Sequence, residues 1–198
     1  MTRQVDYYFI LNSPWSFLAN TQLPAILQRT RAQINLRPVR MAAILEAGGG
    51  LPLAKRPPQR QAYRLQELAR WARRLQVPLN LHPQFFPVDE RLAAGVVLAA
   101  QEDGHDGLEL ATSFGAAIWV QNHNLADEGV LSEILSAAGL SALLLDEGKD
   151  ARFDAILDKN TQDAVAAGVF GVPTFVIGDQ LYWGQDRLDF VEEALREA

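Results

Sequence analysis

Two short stretches carry the side chains best suited to chemistry. The first is Asn12-Ser13-Pro14-Trp15-Ser16. Before it, Val5 to Leu11 is an aromatic and β-branched run with the composition of a buried strand. After it, Phe17, Leu18, Leu23, Ile26 and Leu27 mark the apolar positions of a helix reaching Arg29. Pro14 suits a first helical turn, where a missing N–H costs nothing, so Ser13 is the N-cap candidate. Its hydroxyl then stands among unpaired backbone N–H groups at the positive end of a helix, a place that favours an anion. Plain capping is the commoner duty of a serine there and stays open as an alternative. The second stretch is Gly171-Val172-Pro173-Thr174-Phe175-Val176-Ile177. Proline is tolerated at the first position of a buried strand, and a cis Val172-Pro173 bond is the expectation.

Composition removes several kinds of chemistry. The chain has no cysteine, hence no disulfide framework, no thiolate metal site and no cysteine nucleophile. His82, His105 and His123 share no ligand spacing, and no metal is expected. No Ser/His/Asp set is visible, which makes Ser13 a poor acyl-transfer nucleophile. At 198 residues and 48% hydrophobic, the chain suits one domain, or one domain with an insertion, around a sizeable core. No apolar run approaches the ~20 residues of a membrane span. Met1 to Asp6 enters the first strand at once and leaves no room for a signal peptide, so a cytoplasmic protein is expected.

The net charge of −6 is unevenly placed. Residues 1–91 hold 13 Lys/Arg against 5 Asp/Glu, and residues 92–198 hold 5 against 19. Arg37, Arg40, Lys55, Arg56, Arg60, Arg64, Arg70, Arg73 and Arg74 make up most of the positive half. Such a field would draw in a small anion; a solvated helix face is the equal alternative. A pI near 5.1, with aromatics not interleaved among the basic residues, argues against nucleic acid.

The elements that must position these residues follow in order. Ile34 to Val39 reads as a second strand, parallel to the first across a βαβ unit. A short helix over Met41 to Ala47 is broken by Gly48-Gly49-Gly50, a lid or crossing rather than a phosphate loop. Gln59 to Leu75 is amphipathic and helical. Leu79 to Val88 is extended and proline-rich. Helices follow over Asp89 (cap) to Ala100, Leu108 to Asn122, Asp127 (cap) to Ala138 and Ala151 to Ala167, the last two closed by Gly139 and Gly168. A hairpin turns at Gly178-Asp179, and Asp186 is the expected cap of a final helix. This order is that of a thioredoxin-type domain over residues 1–40 and 169–198, split by an all-helical insertion over 41–168.

Thioredoxin-like oxidoreductases carry Cys-Pro-x-Cys at the first strand–helix turn. The same register here is Ser13-Pro14-Trp15-Ser16, with both sulfurs replaced by oxygen. On this turn, with Tyr8-Phe9, Phe17 to Asn20, Phe86-Pro87, Val169 to Phe175 and Trp183 to Leu188, the chain resembles two related families. These are the 2-hydroxychromene-2-carboxylate isomerases and the kappa-class glutathione transferases, DsbA-like members of the thioredoxin superfamily. The resemblance implies an α/β thioredoxin-like fold with a helical insertion, and a homodimer. It also implies glutathione as cofactor, an external thiol for a scaffold that has lost its own.

A hydroxyl donor and a helix N-terminus stabilise a thiolate. A hydrogen bond to a charged group is worth about 1.5–3 kcal/mol, or roughly one to two pKa units, which moves a thiol of pKa ~8.5 towards ionisation near neutral pH. In this reading Ser13 is catalytic and contacts the cofactor. The Val172 backbone, just before Pro173, pairs with the peptide, Gln185 and Asp186 meet its γ-glutamyl end, and Pro173, Trp183 and Gly184 are further cofactor-binding candidates. Asp186 as a simple cap, and Val172 and Pro173 as a relic of the fold, remain alternatives. Lys55, Arg56 and Phe86 are the candidates for a small aromatic carboxylate substrate, with core packing the alternative for Phe86. The family's asparagine near the three glycines has no counterpart here. The function implied is glutathione-dependent isomerisation; the alternatives are a kappa-like transferase and a non-catalytic module binding glutathione or a peptide.

Overall fold

A computed structural model describes residues 3–197. Met1 and Thr2, part of the stretch expected to leave no room for a signal peptide, lie outside the described residues, as does Ala198. The chain runs β1 (Gln4–Phe9), α1 (Pro14–Asn20), α2 (Leu23–Thr30), β2 (Gln33–Pro38) and α3 (Met41–Ala47). A 3₁₀ turn, Leu53–Lys55, leads to α4 (Pro58–Leu75), α5 (Arg91–Glu102), α6 (Gly107–Trp119), α7 (Glu128–Ala137), α8 (Leu143–Gly148) and α9 (Arg152–Ala166). The chain then returns to β3 (Thr174–Ile177) and β4 (Gln180–Trp183), a 3₁₀ turn at Gln185–Arg187, and α10 (Leu188–Glu197).

The strand order is β2-β1-β3-β4. β1 is central, parallel to β2 with Tyr7 opposite Leu36, and antiparallel to β3 with Tyr7 opposite Phe175. Both of its faces are covered, which is why its residues form a nearly unbroken apolar run rather than an alternating one. Val5, Tyr7 and Phe9 point into the main core; Tyr8 joins a smaller cluster with Val39, Ile44, Ala164, Val169 and Val172. Tyr7 stacks on Phe9 and on Phe175, with ring centroids 4.9 and 4.7 Å apart.

The single helix expected from Phe17 to Arg29 is two. Pro24 sits in the first turn of α2; its missing N–H and its ring prevent α1 from running through, so the chain turns at Thr21-Gln22. The short α8 is not signalled by periodicity at all. Its six residues lie against α5 so closely that Gly95 and Gly148 meet through their main chains; contact, not propensity, makes it a helix. Asp127 caps α7 by accepting the Gly129 N–H at 2.8 Å, and Gly139 and Gly168 close their helices at φ +71° and +84°. Asp89 accepts the Arg91 N–H at 2.9 Å, although the residue bordering α5 is Glu90. Asp186 is not the cap of the last helix: its carboxylate accepts from Arg187 Nη1 at 2.9 Å, and the 3₁₀ turn intervenes.

Candidate active site

Ser13 stands between β1 and α1 in extended conformation, the geometry of an N-cap. Its Oγ accepts the Ser16 N–H at 3.1 Å. No acceptor takes the hydroxyl proton among the described residues, so that proton is uncommitted. The residue is 7% exposed. α1 has only seven residues, so its dipole is short, and the local donors matter more than the helix as a whole. Ser16, the third residue of α1, is buried, and its Oγ has no partner among the described residues. Beneath the turn, the Tyr7 hydroxyl donates to Asn20 Oδ1 at 2.7 Å. Burial pushes its pKa far above the ordinary value, so it remains a donor.

The Val172-Pro173 bond is cis. Ser13 N donates to Ile10 O at 3.2 Å, and Ile10 packs in the same small cluster as Val172. The residue that Ser13 N bonds and the start of the second stretch thus border the same small apolar cluster. No hydrogen bond among the described residues engages the Val172 main chain, whereas Pro173 O already accepts from Gly184 N at 2.9 Å. Trp183 is half exposed and packs edge-on against Phe170 at 4.8 Å. Its indole nitrogen stands where a Cβ on Gly171 would come within 2.7 Å, so a larger residue there would push the half-exposed indole aside. Gly184 adopts φ +112°, which suits glycine alone. Gln185 is buried, and its Oε1 accepts from Gln22 Nε2 at 3.0 Å, tying this corner to the segment after α1. Asp186, paired with Arg187, is partly exposed.

The substrate-side candidates divide. Phe86, also preceding a cis proline, lines a cavity of about 270 Å³ with Leu53, Gln61, Arg64, Leu81 and His82. Neither Lys55 nor Arg56 lines it. Lys55 is exposed, and Arg56 Nε donates to Leu51 O at 2.8 Å. Ser13 does not line the cavity either, but its neighbour connects to it. Asn12 Nδ2 donates to Val88 O at 2.6 Å, and Val88 N donates to Asn12 Oδ1 at 3.0 Å. That two-way clamp fastens the Phe86-Pro87-Val88 segment to the serine turn.

Three residues of this region have no individual role assigned by the sequence. Glu90 Oε2 accepts the Asn12 N–H at 2.6 Å. Enclosure of its carboxyl, partly opposed by the hydrogen bonds from Asn12, raises its pKa to about 7. Asn12 itself could have been suspected from its place beside Ser13. Arg64, one of many basic residues in the sequence, is set apart only by the fold: burial lowers its pKa to about 10, with the Arg56 charge adding to the effect. Among the described residues no group of three or more His, Asp or Glu could hold a metal ion.

The described chain over residues 4–196 matches the DSBA-like thioredoxin domain family. It is 33% identical over 198 residues to the 2-hydroxychromene-2-carboxylate isomerase of Sphingobium xenophagum, covering 98% of this chain and 99% of that one. It is 24% identical to glutathione S-transferase kappa 1 of Rattus norvegicus, covering 98% and 92%. A solved 2-hydroxychromene-2-carboxylate isomerase superposes with a TM-score of 0.78 at 25% identity, covering 98% and 95%. The fold is thus the one that the resemblance implied, and the chain belongs to the DsbA-like thioredoxin superfamily and, within it, to the 2-hydroxychromene-2-carboxylate isomerase family.

Proposed function

We propose that the protein is a glutathione-dependent isomerase of 2-hydroxychromene-2-carboxylate, interconverting it with trans-o-hydroxybenzylidenepyruvate in the breakdown of aromatic compounds. The observation that carries this reading is the uncommitted Ser13 hydroxyl proton in a thioredoxin-type site without cysteine. When bound, glutathione would supply a sulfur that adds to the conjugated double bond; with the hemiketal ring C–O bond broken to give a ketone and a phenol, the former double bond is free to rotate, and loss of the sulfur as thiolate restores it in the trans form. Ser13 Oγ–H donates a hydrogen bond to that sulfur and favours its ionised form. The Val172 main chain, free of other partners, is open to pair with an extended peptide in the manner of an added strand. Pro173, Trp183 and Gly184 shape the wall beside it. Gln185 orients the corner through Gln22, and the Asp186 carboxylate suits an ammonium group. Phe86 offers an aromatic face to the substrate ring, while Lys55 and Arg56 supply positive charge near the cavity.

The test mixes protein, glutathione and the chromene carboxylate and follows the ultraviolet spectrum. The wild type should accelerate interconversion, and Ser13→Ala should lose at least about tenfold, the worth of one charge-assisted hydrogen bond. Equal rates for the two proteins would overturn the reading. Kinship with a protein named glutathione S-transferase kappa 1 favours one second reading, conjugation to an electrophile; accumulation of a stable thioether would establish it instead. The assembly we propose is a homodimer, checked by sedimentation. No described helix is long and apolar enough to cross a membrane, in keeping with the cytoplasmic location we propose.

A further inference from the structure

The cavity beneath α4 contains a cation without a counter-charge. The Arg64 guanidinium lies 5.7 Å from the centre of the Phe86 ring and 5.9 Å from that of Trp119, and the two rings stand 4.8 Å apart. Arg29, Arg37, Arg40, Arg70 and Arg91 each meet a carboxylate. Arg64 meets none among the described residues, and its charged neighbour, Arg56, is of the same sign. Removing a cation from water without a partner is costly. Rings on one side recover part of that cost through cation–π attraction, yet the guanidinium keeps five donors arranged to grip a carboxylate in bidentate fashion. A pocket of about 270 Å³ lies at the small end of ligand sites. It suits one compact ring acid better than a peptide.

We propose that Arg64 is the carboxylate anchor of this cavity, and that the ligand it selects is a planar aromatic ring bearing a carboxylate, laid against Phe86. The assignment of that ligand as the isomerase substrate rests on the function proposed above; the anion selectivity of the cavity does not. Lys55 and Arg56 then act outside the cavity, as a field that draws the acid inward. The Asn12–Val88 clamp holds the Phe86 face in fixed relation to the serine turn.

The experiment uses chromone-2-carboxylate, a planar acid that cannot undergo the ring-opening isomerisation, and its uncharged carboxamide. Binding of each to the full chain is followed by calorimetry. The wild type should bind the acid at least tenfold more tightly than the amide. Arg64→Gln should bring the acid down to the level of the amide and leave the amide unchanged, an outcome that a purely structural arginine would not produce. An acid and amide that bind the wild type equally, or an Arg64→Gln protein with undiminished acid affinity, would overturn the proposal. Should Arg64→Gln fail to fold, Arg64→Lys, which keeps the charge but not the bidentate fork, should weaken acid binding and leave amide binding unchanged, and undiminished acid affinity in it would overturn the proposal. Glutathione binding and chromene turnover, measured on the same protein, separate the two readings. Lost turnover with intact acid selectivity refutes the isomerase and spares the cavity, and turnover without selectivity refutes the cavity alone.

Discussion

Ser13 spends its lone pair on the Ser16 N–H and keeps its proton. A cap needs only the acceptor; the spare donor is what makes the residue useful to a bound sulfur. Glu90 bears on the same turn from the other side. Its carboxyl titrates near 7 in the folded chain, against roughly 4.3 when unfolded. The fold thus favours the neutral acid. Whatever Glu90 contributes to stability is fully present below the unfolded value and is lost as pH rises through about 7. Glu90→Gln keeps an oxygen to accept the Asn12 N–H and removes the buried charge. It should be more stable than wild type at pH 8, with little difference at pH 4. Urea denaturation at the two pH values would show this, and an equal effect at both would count against a titrating Glu90.

At the scale of elements, close approach decides more than propensity. α5 and α8 meet at Gly95 and Gly148, where a Cβ on Gly95 would come within 2.3 Å of the Gly148 carbonyl oxygen. That neighbour is main chain and cannot swing aside. Gly95→Ala, a gain in helix propensity by itself, should therefore destabilise the protein, by about 1–3 kcal/mol as for an overpacked core. A thermal midpoint at or above that of wild type would show that the two helices can part without cost. The division of the expected first helix into α1 and α2 is likewise a matter of one residue, Pro24, lying in a first turn. It shortens α1 and throws the burden of holding an anion onto the Ser13 side chain.

Across the whole molecule, part of the uneven charge of the chain is taken up by internal pairing. Arg40 and Arg91 from the basic half both meet Asp154 on α9, and Arg37 meets Asp6 with Asp163 3.9 Å away. Hydrogen bonds from Arg91, then from Arg40, hold the Asp154 carboxyl down at about 2. Its contribution is therefore present above the ordinary carboxylate range and lost as pH falls towards 2. The side chain is 39% exposed, so water and salt screen it. Asp154→Asn should cost under about 1 kcal/mol at neutral pH and low salt, and less in 1 M salt. A loss that salt leaves untouched would point to packing instead. Once these pairs are set aside, the positive charge lacking a carboxylate partner among the described residues includes Lys55, Arg56 and Arg64, around and within one cavity. Arg60, Arg73 and Arg74 lack one too among the described residues, so the field expected from composition survives folding along α4 as well as at the cavity.

What the sequence determined by itself is the part governed by near neighbours along the chain. The strand–turn–helix at Ser13, the Val172-Pro173 entry to β3, the Gly178-Asp179 hairpin and the glycine stops after α7 and α9 follow from turn chemistry and period, which act over a few residues. The loss of both sulfurs was equally legible, because it is a matter of residue type. The tertiary structure alone decided that Glu90 reaches Asn12 across 78 positions, that Asp186 turns to Arg187 and not to a helix end, and that one arginine among many lies unpaired over Phe86 and Trp119. Burial and charge pairing depend on which distant segments the fold brings together, and no local pattern in the chain encodes that choice.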